Sequence, residues 1–248
     1  MNQERGTTVL DSPRPYQRLQ SELASLIIAS APGERLPSEP ELARRLGVSR
    51  ATLREAMRAF EGQGLIRRRQ GVGTFVVSHS QVIESGLEVL ESIEALAGKI
   101  GLNVALGALN VIQIQANQAE SLALDIVEGT ELVKISRVIQ AERRPVAYLI
   151  DRLPTDILTP ADLEQGFTGS VLDLLLRRGS PMLANSYTEI QAVAAPPEVS
   201  RALEIQRGDV MLMFTARLYD TSGRPIDYSS SYFLPGYFHF HVVRRVGQ

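Results

Sequence analysis

Leu36-Pro37-Ser38-Glu39-Pro40-Glu41-Leu42-Ala43-Arg44-Arg45-Leu46-Gly47-Val48-Ser49-Arg50-Ala51-Thr52-Leu53-Arg54-Glu55-Ala56-Met57 decides how the first third of this chain folds. Ser38 followed three residues on by Glu41 is a capping-box pattern, and prolines are tolerated in the first turn of a helix. Leu42 and Leu46 then share one face of a short helix that Gly47 ends. Ser49 is placed to cap a second helix, whose inner face is Leu53, Ala56, Met57 and Phe60. Only Gly47-Val48-Ser49 separates the two, and helices joined this tightly form a helix-turn-helix with the second in the recognition position. Arg50 and Arg54 lie one turn apart, opposite the apolar stripe. Arginine can grip guanine O6 and N7 as a fork, while hydroxyls such as those of Ser49 and Thr52, with helix N-terminal amides, suit phosphates.

Working outward, Leu19, Leu23, Leu26 and Ile27 recur at helical spacing and predict a helix over Tyr16 to Ser30, stopped by Pro32-Gly33. A polar leader of about residues 1–13 precedes it and is expected to be flexible. Downstream, Gly64-Leu65-Ile66-Arg67-Arg68-Arg69-Gln70-Gly71-Val72-Gly73-Thr74-Phe75-Val76-Val77 reads as strand, glycine turn, strand. That is a basic wing with a tip small enough to approach a groove. Alone, an arginine pair is an ordinary solvated helix face and Arg67 to Arg69 a charged edge strand; tight turn, basic face and basic hairpin together are harder to explain so. The charge agrees. Residues 1–80 carry 12 Arg against 8 Asp/Glu, a net of +4, and the remainder a net of −6, so a polyanion would meet the N-terminal third.

The stretches Leu36-Pro37-Ser38-Glu39, Leu42-Ala43, Gly47-Val48-Ser49-Arg50-x-Thr52-Leu53-Arg54-x-Ala56 and Gly64-Leu65-Ile66 through Gly71-x-Gly73-Thr74-Phe75-Val76 resemble the DNA-binding domain of the GntR family over nearly all of residues 15–77. The resemblance implies that Ser38, Ser49, Arg50, Thr52 and Arg54 contact DNA from the helices and Arg68 from the wing, with Gln70, Gly71 and Gly73 at a wing tip in the minor groove. The family usually places Arg or another polar residue after the Ser-Glu pair; Pro40 stands there in this chain, so a backbone contact made by relatives is expected to be missing.

Residues 78–100 read as a connector in which Ile83, Leu87, Leu90, Ile93, Ala97 and Ile100 step by three or four, which predicts a helix despite Gly86. Beyond it the pattern turns to strands alternating with short helices, and a repeat of about 80 residues emerges. Leu124-Asp125-Ile126-Val127-Glu128-Gly129, Arg137, Arg144-Pro145-Val146-Ala147-Tyr148 and Leu153-Pro154 are followed by Leu203-Glu204-Ile205-Gln206-Arg207-Gly208, Arg217, Arg224-Pro225-Ile226-Asp227-Tyr228 and Leu234-Pro235. Each copy reads as short helix, glycine turn, strand, polar turn, strand. Two such units are expected to pack about a pseudo-twofold axis around a cleft, with Arg137 and Arg217 at equivalent places. Asp227 answers Ala147 in the other copy and breaks the symmetry; the plain alternative is a structural Arg–Asp pair. Ser170 is expected to cap a helix whose free amides would suit an anion, simple capping being the alternative.

Residues 90–245 resemble, through looser motifs, the UTRA sensing domain of HutC-type GntR regulators, a chorismate-lyase-like α+β fold. By that resemblance Arg137, Ser170, Arg217, Asp227 and Phe233 line or support an effector pocket. Phosphosugar-sensing relatives carry a second Arg two positions after the first and a Glu four after the Pro, where this chain has Ile139 and Leu149; Phe233-Leu234-Pro235-Gly236 replaces a more polar ending. The expected pocket is therefore more apolar, for a carboxylate-bearing or aromatic metabolite anchored at Arg137.

Composition narrows the alternatives. The chain has no cysteine, which removes disulfides, thiol catalysis and cysteine-ligated metals. No apolar run reaches the length of a membrane span and no secretion signal opens the sequence, so the expected location is the cytoplasm. An enzyme of chorismate-lyase-like fold is the main rival, yet three histidines and no clustered carboxylates offer little for catalysis. His239 and His241 alternate on a strand, but two ligands do not make a metal site. A fused aminotransferase does not fit the length, and an all-helical metal-binding sensor conflicts with the strand-rich repeat. The whole is read as α+β: a winged helix-turn-helix in residues 1–77, a linker over 78–92, and a mixed sensing and dimerisation domain over 93–248. The expected partners are double-stranded operator DNA, a metabolite and a second copy of the chain, with no cofactor and no membrane.

Overall fold

The computed structural model describes residues 15–31, 33–62, 64–69, 71–77, 83–164 and 167–244. The leader, wing-tip Gln70 and positions 78–82 of the connector lie outside them. Two compact units divide the described residues, one within Met1–Glu61 and Leu65–Ser78, the other within Gly62–Gly64 and His79–Gln248. No helix among the described residues is long and apolar enough to cross a membrane.

The first unit runs α1 (Pro15–Ala29), α2 (Glu39–Arg45), α3 (Arg50–Gly62) and the hairpin β1 (Ile66–Arg69) and β2 (Gly73–Val76). The apolar spacing read from the sequence becomes its core: Leu19, Leu23 and Ile27 of α1 pack with Leu42, Leu53, Ala56, Met57 and Ile66. Gly47 takes φ +66, the left-handed backbone that lets α2 turn into α3 across Leu46 to Ser49. The Ser49 hydroxyl accepts from the Thr52 amide at 3.1 Å and so caps α3. Ser38 behaves differently from the capping-box expectation. Its backbone is extended like an N-cap, but its side chain makes no cap hydrogen bond, and Pro40 in the first turn brings no amide to be capped.

The second unit runs β3 (Ile83–Gly86), α4 (Ile93–Lys99), β4 (Val104–Gln115), α5 (Gln118–Leu124), β5 (Glu131–Ala141), β6 (Arg144–Pro154), α6 (Pro160–Glu164), α7 (Val171–Arg178), β7 (Leu183–Ala194), α8 (Pro197–Ala202), β8 (Val210–Asp220), β9 (Pro225–Phe233) and β10 (Phe238–His241). Six strands form one antiparallel sheet in the order β4-β5-β6-β9-β8-β7. That order is the repeat made visible. The units β4-α5-β5-β6 and β7-α8-β8-β9 are related by a pseudo-twofold at the central β6–β9 pair, where Ile150 faces Ser230. On one face Arg152 of β6 meets Glu120 of α5 at 3.0 Å, and Tyr148 donates to Glu198 of α8 at 2.7 Å. Burial and that hydrogen bond push the Tyr148 hydroxyl up to about 12. On the other face α7 packs Val171 and Leu175 onto Val133, Ile135 and Leu153.

The connector departs from the helix its spacing predicts. Ile83–Gly86 is a strand that pairs in parallel with Phe238–His241, and only Ile93–Lys99 is helical. A partner strand from the far end of the chain overrides the local period, burying Ile83 while Leu87 and Leu90 stay exposed. Residues 83–92 thus sit within the second unit, where the sequence reading places a linker.

Candidate functional site

In the first unit the exposed side of α3 begins with Arg50, and Thr52 and Arg54 follow on the surface. The Thr52 hydroxyl is 2.8 Å from that of Ser49, so the two form one polar edge at the helix start. Ser38 lies exposed just before α2. The wing pairs Ile66 to Val76 and Arg69 to Gly73, leaving Arg67, Arg68 and Arg69 exposed. Gly71 takes φ +74 and Gly73 φ +140. A Cβ on Gly73 would lie 2.6 Å from Nε of the flexible Arg35 side chain, which can move aside, so it is the backbone conformation that favours glycine there. Arg69 lies over the Phe75 ring at 5.1 Å.

One residue that the sequence reading left without a role organises this surface. The Glu39 carboxylate accepts from Arg54 Nε at 2.6 Å through one oxygen and from Arg68 Nη2 at 2.8 Å through the other. It thereby ties the helix before the turn, the recognition helix and the wing into one charged cluster. Burial alone would raise the Glu39 carboxyl, but the hydrogen bond from Arg54 and the charges of Arg68, Arg54 and Arg50 outweigh it and hold the group below its ordinary range. A guanidinium fixed by a carboxylate loses less freedom on meeting DNA than a free one.

In the second unit a cleft of about 520 Å³ lies on the α7 face of the sheet. Arg137 and Asp151 form a buried ion pair at its floor, beside Asp227 and close to the Ser170 end of α7. Asp227 accepts from the Arg152 amide at 3.2 Å. Its burial, and the Asp151 charge beside it, push its carboxyl well above the usual range, so it favours the neutral acid. Glu94 of α4 is likewise raised, by burial first. The far wall is aromatic: Phe240 stands 4.4 Å from Phe214 and 4.9 Å from Phe233, centroid to centroid.

Of the expected pocket residues, Arg137, Ser170, Asp227 and Phe233 come together here, and Leu149 lines the cleft as well. Ile139 is instead buried in the core. Ser170 caps α7, accepting from the Asp173 amide at 3.0 Å. Asp173, accepting from Ser92 at 2.8 Å, puts a carboxylate at that helix start, which disfavours the anion site considered from sequence.

Arg217 lies apart. It sits over the Tyr187 ring at 5.0 Å and lines a separate hollow with Tyr228, on the opposite face of the sheet. The reason is one residue in a turn. The first hairpin closes with the two-residue turn Glu142-Arg143, both at positive φ, between the paired Ala141 and Arg144. The second needs three residues, Thr221 to Gly223, with Asp220 donating its amide to the Arg224 carbonyl at 3.0 Å. Counting eight residues back from each proline therefore lands one place apart in the sheet. Structurally Arg137 answers Ala216, whose neighbour Thr188 corresponds to Leu109, and Arg217 answers Val138. A one-residue offset along a strand turns a side chain to the other face. The cleft thus has one arginine rather than two.

A basic helix-turn-helix with a wing, joined in one chain to an α+β unit that holds a cleft, defines a DNA-binding regulator with a small-molecule-sensing domain. Residues 15–76 match the family described as bacterial regulatory proteins, gntR family, and residues 100–239 match the UTRA domain. The histidine utilization repressor of Pseudomonas putida is 31% identical over 220 residues, spanning 86% of this chain and 85% of that protein. The HTH-type transcriptional repressor NagR of Bacillus subtilis is 27% identical over 223 residues, spanning 89% of this chain and 90% of that one. The crystal structure of PhnF from Mycobacterium smegmatis shares the fold with a TM-score of 0.60 at 21% identity, covering 92% of this chain and all of its own. The chain belongs to the gntR family of bacterial regulators, in the branch that carries a UTRA domain. It is a transcription regulator and not an enzyme.

Proposed function

We propose that this protein is a cytoplasmic repressor that binds a palindromic operator as a homodimer and leaves it when a small molecule fills the cleft of its second unit. The observation that carries the reading is the Glu39 cluster, which fixes Arg54 of the recognition helix and Arg68 of the wing as one basic surface. Arg50 and Arg54 read base edges, Ser49, Thr52 and Ser38 meet phosphates, and Arg68, Gly71 and Gly73 follow the wing into the minor groove. Gln70 lies outside the described residues.

Dimerisation runs through the second unit. Its edge strands β4 and β7 are each 12 residues long and largely exposed, with Leu109 and Ile112 on one and Tyr187 and Ile190 on the other. Long exposed edges with apolar side chains are surfaces that proteins normally cover. The aromatic wall of the cleft supports an effector with an aromatic or apolar body, and histidine-derived compounds head the library because of the histidine utilization repressor noted above.

The test is operator release, followed by fluorescence anisotropy on the full chain with a metabolite library, in parallel with Ala216→Trp, which fills the cleft. A compound that releases wild type and leaves the variant bound supports the reading. A compound that releases both equally, or a library that never moves the complex, overturns it.

A further inference from the structure

Five of the described residues lining the cleft carry a carboxyl group, and one, Arg137, carries a positive charge. That one charge is already matched by Asp151. Two polar atoms at the floor are buried with no hydrogen-bond partner among the described residues: Glu94 Oε1, an acceptor, and Arg137 Nε, a donor. The Arg137 side chain is 7% exposed, so water does little for its Nε–H. Unmet buried groups of this kind are costly, and more so when charged, so a ligand that meets both is strongly favoured.

Resting on the regulator reading above, we propose that the effector carries a basic nitrogen, held by Glu94 and the Asp227–Asp151 pair, next to a hydrogen-bond acceptor for Arg137 Nε, on an aromatic or apolar body that packs against Phe214, Phe233 and Phe240. A phosphate or a dicarboxylate would enter a site with no unmatched cation. It would find only the remaining N–H of an ion-paired arginine in its favour, and its charge would leave the cleft without a counter-ion to replace the water it loses. A protonated amine instead meets carboxyl groups that can become its counter-ions. Asp227, which burial and the Asp151 charge keep toward its neutral form, ionises on meeting it, so that binding releases a proton. Rim residues Glu88 and Glu91 extend the same sign of potential toward the entrance, although Lys99 neutralises Glu91 in part at 2.5 Å.

Two probes that share a phenylalanine ring but are opposite in charge separate the classes. L-phenylalaninamide has an ammonium group beside a carbonyl acceptor; N-acetyl-L-phenylalanine has the same ring with a carboxylate and no amine. Titrated into the full chain at millimolar concentration, the amide is expected to raise Tm by several degrees and the acetylated acid to leave it unchanged. Calorimetry in two buffers of different ionisation enthalpy should show proton release with the amide. Glu94→Gln removes the anion while keeping the shape, and it is expected to weaken the amide by about tenfold or more. Its own Tm, measured without probe, reports that it folds. Asp227→Asn provides the independent second variant, with the same expected direction. The proposal is overturned if the acid binds as well as the amide, if neither probe shifts Tm, or if both variants bind the amide like wild type. An acidic metabolite that releases operator from wild type but not from Ala216→Trp would overturn the ligand class alone and leave the cleft as the sensor.

Discussion

Replacing Arg137 by Met keeps the length and apolar stem of the side chain and removes its charge. The guanidinium and the Asp151 carboxylate are 7% and 10% exposed, so the pair is effectively out of water. Breaking such a pair from one side leaves a buried charge with no partner and typically costs about 3–5 kcal/mol. For a fold of this size that is roughly 6–20 °C in Tm. The neighbourhood adds a pH dependence. Without Arg137, Asp151 and Asp227 are two adjacent carboxyls that ionise together only at high cost, and Asp227 already stands above its usual range because of burial and the Asp151 charge. Losing the Arg137 charge, which lowers Asp227 in the wild type, raises that acid further, and a raised acid gives stability that is lost as pH climbs through the folded value. The deficit of Arg137→Met relative to wild type is therefore smallest near pH 5 and grows toward pH 8. Adding Asp151→Asn removes the stranded charge, so the double variant should recover at least half of the loss. Urea unfolding of the full chain at the two pH values, followed by circular dichroism, measures each quantity. A single-variant loss below about 1 kcal/mol, or a loss with no pH dependence, would refute the reasoning and place the pair in contact with water.

Three further outcomes follow from the same geometry. Arg50→Ala should lose roughly 1–3 kcal/mol of operator affinity at one base position and relax the preference there, whereas Arg68→Ala should weaken all sequences together and flatten the salt dependence; competition binding over a set of single-base operator variants distinguishes them. Glu39→Gln frees Arg54 and Arg68 and deletes a negative charge from the DNA-facing side, so affinity for unrelated DNA should rise more than affinity for operator, and an unchanged ratio of the two counts against the clamp. Asp227→Asn abolishes a raised acid while preserving shape; it should stabilise the protein more at pH 8 than at pH 5, and calorimetry showing the reverse order would mean that the fold stabilises Asp227 as the anion.

Much of this was legible in the sequence because the deciding signals are local. Gly47-Val48-Ser49 leaves room for one kind of turn only, the apolar spacing of α1 and α3 states which face is buried, and the arginine-rich strand with its glycine tip announces a wing. The repeat is also local in each copy, and it foretold a sheet symmetric about its centre. What escaped the reading depends on distance or on a single residue. Glu39 is 15 residues from Arg54, and nothing in its immediate neighbours says that one carboxylate will serve two arginines. Asp151 and Glu94 reach Arg137 only after the sheet and α4 have been assembled. Arg217 was assigned to the cleft because its spacing from Pro225 copies that of Arg137 from Pro145, and the extra residue in the second turn, which reverses its face, is silent in such a count. The connector misled for a related reason. A three-to-four spacing of apolar residues fits a helix, and only the pairing of Ile83–Gly86 with Phe238–His241 makes it a strand.

The central claim, that the first unit reads DNA for a dimeric ligand-controlled regulator, is tested most directly by selecting the full chain against a pool of random duplex DNA and sequencing what it retains. The account predicts a palindrome whose half-sites are each contacted by one recognition helix, together with loss of that enrichment in Arg50→Ala. Retention of DNA with no sequence preference above the starting pool, or the same enriched sequence from wild type and Arg50→Ala, would contradict it.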